Sequence, residues 1–349
     1  MPDEKLLETR PTRRPVHRRP IDKQSVEYVV RSGIAGGVAG CAAKTLIAPL
    51  DRVKILFQTG NADFKRYSGS RLGLLKATKQ ITNTEGAIGL FKGHSATLLR
   101  IFPYAAIKFV AYEQIRNILI RSKDQETSFR RALSGSLSGV ASVFCTYPLD
   151  LIRVRLAFQT KSLESTINGR IERPRHRMWA LINSIYHESS SSGSLKPQIS
   201  NFYRGLVPTV MGMIPYAGVS FWAHDAIHDL FRSDHLQSVA VVMSNDETVL
   251  PATDRRRPLK VWAELLAGGM AGLCAQTASY PFEVIRRRMQ VSGLVIDNRR
   301  GIMSTAKCII QAEGIRGLFV GLSIGYIKML PMSACSFLVY ERMKYLLNI

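Results

Sequence analysis

The sequence predicts an all-α membrane protein in which three pseudo-threefold-related repeats build a bundle of six transmembrane helices with short surface helices. Three observations point there. First, residues 36–58 (GGVAGCAAKTLIAPLDRVKILFQ), 135–157 (GSLSGVASVFCTYPLDLIRVRLA) and 268–290 (GGMAGLCAQTASYPFEVIRRRMQ) share one register. In each, a Gly-x-x-x-Gly pair (Gly36/Gly40, Gly135/Gly139, Gly268/Gly272) ends nine residues before a proline. Pro49, Pro148 and Pro281 are each followed by an acid two residues on and a base five on: Asp51 and Lys54, Asp150 and Arg153, Glu283 and Arg286. Second, each copy sits in an apolar segment long enough to cross a hydrocarbon core of roughly 30 Å. Third, the segments between them keep a register of their own. Tyr112-Glu113-Gln114-Ile115-Arg116 and Tyr340-Glu341-Arg342-Met343-Lys344 match, and His224-Asp225-Ala226-Ile227-His228 is an altered third copy. Thirteen residues before each acid stand Arg100, Gly212 and Lys328, each three before a proline. A repeat whose units share one core counts as one domain.

The elements follow in chain order. Residues 1–24 contain no apolar run suited to a secretory signal. Their arginines are interrupted by Asp3, Glu4, Glu8 and four prolines, so they read as a disordered basic tail. The first repeat is placed at 25–121. Its first helix, 26–57, carries few charges before Asp51 and Lys54, and Pro49 is predicted to kink it near one membrane face, because proline removes a helical hydrogen bond. An amphipathic surface segment at 71–82 follows, then EGAIGLFKG at 85–93 and a second helix at 94–120. The second repeat, 128–232, runs through helices at 130–158 and 205–231. Its insert at 161–201 holds Arg170, Arg173, Arg175 and Arg177 and a serine run at 189–192, and reads as mobile loop around a short helix at 178–188. A linker at 233–257 precedes the third repeat, 258–349, with helices at 258–290 and 322–347 and the element EGIRGLFVG at 313–321.

Composition narrows the function. The 349 residues carry a formal charge of +22, so an anionic partner is expected. A soluble basic helical-repeat protein that binds nucleic acid would share that charge. Such a protein needs its bases on an exposed face, whereas here they gather in tails, loops and the clusters after the prolines, and no nucleic-acid partner is expected. Cys41, Cys145, Cys274, Cys308 and Cys335 show no C-x-x-C spacing and read as small core residues. No nucleophile and base set, metal-ligand spacing or Walker-type loop appears, so neither an enzyme nor a cofactor or metal is expected. The Gly-x-x-x-Gly pairs are predicted to let helix backbones approach closely in lipid.

Charged side chains at membrane depth are costly unless paired or facing water. The three acid and base clusters are therefore predicted to face one another about the pseudo-axis and to close one end of a central cavity.

These motifs resemble those of the mitochondrial carrier family over residues 26–347. Two departures are visible: Glu188 is separated from Tyr203-Arg204-Gly205 by an enlarged gap, and Val320 stands where a base is usual. The resemblance implies a multi-pass protein of the mitochondrial inner membrane that works by alternating access. It implies a matrix gate of Asp51 with Arg153, Asp150 with Arg286 and Glu283 with Lys54, braced by Gln58 and Gln290, with Ala157 unable to serve as the third brace. It also implies a cytoplasmic gate of Glu113, Arg116, Asp225, His228, Glu341 and Lys344, weakened where His228 replaces a permanent cation.

Substrate contacts implied by the resemblance are Arg100/Ile101, Gly212/Met213 and Lys328/Met329. Tyr104 and Lys108 share the face of Arg100, and Lys44, five residues before Pro49, is predicted to face the same cavity, with Gln276 at the equivalent place in the third repeat. Arg and Lys can hold phosphates, the former bidentately, and Gly212 beside Met213 leaves a flat space for a planar base. Whole phrases such as GHSATLLRIFPYAAIKFVAYEQIRN and RGLVPTVMGMIPYAGVSFWAHD resemble the coenzyme A carriers of the family. They imply coenzyme A, or a close adenine-nucleotide precursor, moved into the matrix, with cardiolipin as an anionic lipid partner and a monomer as the working unit. The spacing alone accepts ADP, ATP or adenosine 3′,5′-bisphosphate equally well.

Overall fold

The computed structural model describes residues 26–70, 72–120, 127–160, 177–188, 197–233, 236–241, 259–295 and 301–347. The tail at 1–24, most of the insert at 161–201, and residues 234–235 and 242–257 of the linker at 233–257 lie outside the described residues. Within them the chain is helical. The first repeat comprises α1 (Val26–Thr59), the surface helix α2 (Gly73–Glu85) and α3 (His94–Leu119). The second comprises α4 (Ser128–Phe158), α5 (Arg177–Tyr186) and α6 (Leu206–Phe231). The third comprises α7 (Val261–Val295), α8 (Ile302–Glu313), α9 (Leu322–Ile327) and α10 (Met329–Leu347).

Among the described residues, four segments are long and apolar enough to cross a membrane: Val30–Thr59, Arg130–Phe158, Asn201–Phe231 and Ile315–Leu347. The 34 residues of α1 rise about 51 Å, well beyond the roughly 30 Å of hydrocarbon, so its charged final third need not lie in lipid. Exposed Leu330, Leu265, Trp222 and Ile118 give the bundle the apolar exterior that a hydrocarbon solvent requires.

The last span is interrupted, with α9 giving way to α10 at Lys328. Pro331 has no N–H to offer the Ile327 carbonyl four residues back, which removes one rung of the helix there. Pro49, Pro148 and Pro281 lie inside α1, α4 and α7. Val241 bridges to Leu259, and both pack with Ala240 against Ile227, Phe231 and Ala263.

The most extensive packing joins repeats rather than the two helices of one repeat: α3 lies along α4, α6 along α7, and α10 along α1, which closes the ring. Each first helix presents a stripe of buried small residues at every fourth position: Ala35, Ala39 and Ala43 on α1; Ser134, Ser138, Ser142 and Thr146 on α4; Ala263, Ala267, Ala271 and Ala275 on α7. Small residues let helices approach closely without a hydrophobic driving force in lipid. This corrects the role expected of the Gly-x-x-x-Gly pairs. A Cβ added at Gly36, Gly135, Gly139 or Gly268 would meet nothing within 4 Å, while Gly40 and Gly272 touch only Ile101 and Met329. The neighbouring alanines and serines make the seams, and the glycines hollow out the space beside them.

A second threefold set of contacts anchors the surface elements. The Nε of Arg52, Arg155 and Arg288 donates to the carbonyls of Ala157, Gln290 and Gln58, at 3.3, 3.0 and 2.9 Å. Each of these residues stands nine positions after the proline of a neighbouring repeat. The same guanidiniums pair with the acid closing the surface element of their own repeat: Arg52 with Glu85 at 2.8 Å, Arg155 with Glu188 at 3.0 Å and Arg288 with Glu313 at 2.8 Å. The enlarged gap after Glu188 therefore leaves this contact intact, and Arg204 joins it at 2.5 Å. Where Val320 replaces a base, Lys65 of the first repeat reaches Glu313 at 3.5 Å. Gly93, Gly205 and Gly321 follow these elements with φ of +83°, +83° and +82°, a left-handed conformation costly for other residues. At Gly93 a Cβ would also lie 2.6 Å from the Arg153 carbonyl.

Burial pushes the Glu85 carboxyl up, but the hydrogen bond and charge of Arg52, with Lys92 beside it, hold it below the usual glutamate range. Its contribution to stability is thus present at neutral pH and lost as pH falls toward that depressed value. Arg52 also donates to the Gly89 and Gln159 carbonyls. Arg52→Ala is expected to cost about 3–5 kcal/mol by stripping a buried carboxylate of its closest cation, read as a lower thermal midpoint of the purified protein in detergent. Arg52→Lys should restore only part of it, since an ammonium cannot fork across four acceptors. A midpoint for Arg52→Ala equal to that of the unmodified protein would refute this.

Candidate functional site

The ring of helices surrounds a cavity of about 1520 Å³. One end is floored by charge. Arg153 donates to Asp51 Oδ2 at 2.8 Å, Arg286 to Asp150 Oδ2 at 2.5 Å, and Lys54 to Glu283 Oε1 at 3.0 Å. The acid of each repeat meets the base of the following one. All six residues follow a proline that sits within its helix, which puts them at one level on α1, α4 and α7. Their enclosure matters energetically, because an ion pair shielded from water is far stronger than one in bulk solvent, and leaving either partner alone there is expensive.

Two of the three pairs are supported from below through tyrosines that the sequence reading did not single out. Gln290 Nε2 donates to the Tyr147 hydroxyl and to Asp150 Oδ2, both at 3.1 Å, and Tyr147 donates to the Arg204 carbonyl at 2.7 Å. Gln58 Nε2 donates to the Tyr280 hydroxyl at 3.0 Å, and Tyr280 donates to the Val320 carbonyl at 2.9 Å. The cations Arg286 and Lys54 also lie over the Tyr147 and Tyr280 rings, at 5.5 and 5.0 Å from their centroids. Gln58 thus acts on its pair through a tyrosine and not directly. The signal was present as Tyr-Pro in two repeats against Ala48-Pro49 in the other. Arg287 was missed as well. It is buried and donates to Asp150 Oδ2 and to Gln290 Oε1, at 3.2 and 3.0 Å.

The cations assigned to substrate stand nearer to this ring than the sequence implied. Arg100 Nη1 donates to Asp150 Oδ1 at 2.9 Å and its Nε to Thr146 at 3.2 Å, while its guanidinium lies 5.2 Å from the Tyr104 ring centroid. Lys328, at the break between α9 and α10, donates to Asp51 Oδ1 at 2.8 Å. Both line the cavity, together with Tyr104, Lys108, Gly212, Met213, Gln276 and Met329. Asp150 therefore accepts from three guanidiniums and an amide, and Asp51 from an arginine and a lysine.

Three placements differ from expectation. Lys44 does not line the large cavity. It borders a narrow crevice with Asp51, Arg153 and His94, and its Nζ lies 3.5 Å from Met332 Sδ. Ile101 turns toward Gly40 of α1, 3.7 Å from where a Cβ would stand. Beside Gly212 there is no open slot, because Phe282 of α7 packs there, 3.1 Å from a would-be Cβ. The apolar wall at that level is completed by Met213, Ile214, Tyr216 and Phe221.

The second set of charges, near the far ends of α3, α6 and α10, is not gathered into a corresponding ring. Lys344 donates to Glu341 at 2.7 Å within α10, and His228 lies 3.6 Å from Glu264 of α7. Glu113, Arg116 and Asp225 are exposed. The cavity is thus closed by ion pairs at one end, with cations on its wall that can hold an anion.

Comparison with known proteins agrees with this architecture. The model of the mitochondrial carrier protein family matches residues 25–123, 124–235 and 257–349. Mitochondrial carrier protein LEU5 of Saccharomyces cerevisiae is 54% identical, covering 93% of this chain and 92% of its own. Solute carrier family 25 member 16 of Homo sapiens is 40% identical over 91% of this chain and 88% of its own. Mitochondrial carrier protein CoAc2 of Zea mays is 35% identical over 92% and 87%. With three repeats matched and relatives aligned over most of their length, the chain belongs to the mitochondrial carrier family, as a multi-pass transporter of the mitochondrial inner membrane.

Proposed function

We propose that this carrier moves coenzyme A, or a close adenine-nucleotide precursor, into the matrix by alternating access. The observation that carries the reading is that Arg100 and Lys328 line the cavity while bonded to Asp150 and Asp51 of the ion-pair ring. The ring is the matrix gate, and the cavity opens to the cytoplasmic side in this conformation. A phosphate entering from that side competes with the two carboxylates for the same cations.

Each charge-assisted hydrogen bond contributes about 1.5–3 kcal/mol. A substrate that offers phosphate oxygens to Arg100 and Lys328 recovers what those bonds lose and leaves Asp51 and Asp150 less firmly held. That difference between the two states is what a ligand needs to shift the equilibrium. Coenzyme A suits the arrangement because it carries a diphosphate and a separate 3′-phosphate, enough charge to engage cations on α3 and at the α9/α10 break together. Lys108 and Gln276 supply further polar contacts. Met213 and the aromatic wall around Phe282 receive the adenine, with Gly212 serving the close approach of α6 to α7. The name of one relative, the CoAc2 carrier of Zea mays, adds support.

When the far ends of α3, α6 and α10 close together, Glu113, Asp225 and Glu341 pair with Arg116, His228 and Lys344 of neighbouring repeats to form the cytoplasmic gate. One chain encloses the whole cavity, so a monomer suffices, and the surface elements between repeats are the places where cardiolipin would bind.

In liposomes containing the purified protein, labelled coenzyme A is expected to enter faster than ADP, ATP or adenosine 3′,5′-bisphosphate. Equal rates, or faster entry of another nucleotide, would overturn the substrate. Arg100→Ala and Lys328→Ala are each expected to lower uptake about tenfold to a hundredfold while leaving the far-ultraviolet circular dichroism unchanged. Full transport by either variant would remove that residue from the binding site.

A further inference from the structure

We propose that the chain holds a transition-metal site of the Zn2+ class where α6 meets α7, formed by His224 and His228 of α6 and Glu264 of α7. The two histidines stand four residues apart, on one face of a helix. Their rings stack with centroids 4.1 Å apart. His228 is 7% exposed, yet its Nε2 has no hydrogen-bond partner among the described residues. That atom lies 3.6 Å from Glu264 Oε1, beyond a sound hydrogen bond. It is close to the separation of two ligands on one tetrahedral ion, since metal–nitrogen and metal–oxygen bonds of about 2.0–2.2 Å set neighbouring ligands about 3.4 Å apart. All three donor atoms lie within 4.8 Å of one another.

The donor chemistry selects the ion. Two imidazoles and one carboxylate suit Zn2+, Ni2+ or Cu2+, whereas Mg2+ and Ca2+ prefer oxygen alone. Asp225, 3.9 Å from His224 Nδ1, adds a negative charge beside the site without a hydrogen bond to that ring. With Asp225 and Glu264 set against Arg232 one turn on, the surroundings carry a net negative charge that favours a cation.

The site is particular to the second repeat. Where the first and third have Tyr112 with Arg116 and Tyr340 with Lys344, the second has histidine at both positions. A bound ion ties the second repeat to the third and occupies His228. On the gate reading above, it would hold the cytoplasmic end apart. Metal binding itself does not depend on that reading, and it is measured without transport.

The test uses full-length protein freed of any histidine tag and stripped with chelator, titrated in detergent with zinc chloride. Equilibrium dialysis with metal analysis should find a single ion per chain at this site, and zinc should raise the thermal midpoint where magnesium does not. His224→Ala and Glu264→Gln, at incompletely buried positions whose replacement spares the fold, should each lose the bound ion and the midpoint shift, and the double variant should lose both. His228→Ala is not needed for the decision. The proposal is overturned if the unmodified protein binds no more zinc than the double variant, or if magnesium gives the same shift.

Discussion

A carboxylate that cannot be left alone in a dry place organises this molecule. Asp150 is almost fully enclosed, and its two oxygens are shared among Arg286, Arg287, Arg100 and Gln290. Desolvating such a group costs several kcal/mol, and only a convergence of cations from α3 and α7 makes its position tolerable. The proline two residues earlier places it on the inner side of α4, the small-residue seam of α4 lets α3 come near enough to serve it, and the glutamine below, itself bonded to Tyr147, completes its hydrogen bonds. Removing the convergence would leave the helices with charges facing one another across a gap and no reason to close.

Cavity and ion-pair ring are not separate parts, because Arg100 and Lys328 belong to both. Arg100 and Lys328 project from the second helices of their repeats into the space where an anion would lie, yet their partners are acids of the first helices. A phosphate offered to these cations presents oxygen acceptors with chemistry similar to that of the protein carboxylates they already hold. In this structure the carboxylates keep both cations paired, which avoids the cost of a bare buried charge. It also explains why spacing identified these positions but misjudged their surroundings. Register gives the turn on which a side chain stands, whereas the reach of a lysine or arginine across 6 Å or so depends on what waits at the other end.

The fold was legible because a threefold repeat states its periodicity three times, and because a proline followed by an acid and a base is informative only when the register recurs. Surface helices were legible from amphipathic period. What escaped was whatever differed between copies or depended on the partner repeat. The Gly-x-x-x-Gly pairs drew the packing role that belongs to Ala35, Ser138 and Ala271, since a one-residue offset along a helix turns a side chain by about 100° and moves it from seam to cavity. Tyr147 and Tyr280 look like ordinary apolar residues until the glutamine of another repeat arrives. Lys44 shares a helix face with cavity residues but is drawn aside into a crevice with Asp51. Arg52 stands at a different offset from Arg155 and Arg288, so only coordinates reveal that all three hold a neighbouring carbonyl.

The absence of a glutamine at Ala157, with Ala48 where the others have tyrosine, has one more consequence. Two junctions of the ring rest on a rigid aromatic strut, while the junction between the first and second repeats has none and borrows Lys328 from the third. The pseudo-symmetry of the backbone thus conceals an asymmetric ring, in which the junction of the first and second repeats is held by a lysine of the third where the other two junctions have a tyrosine and a glutamine.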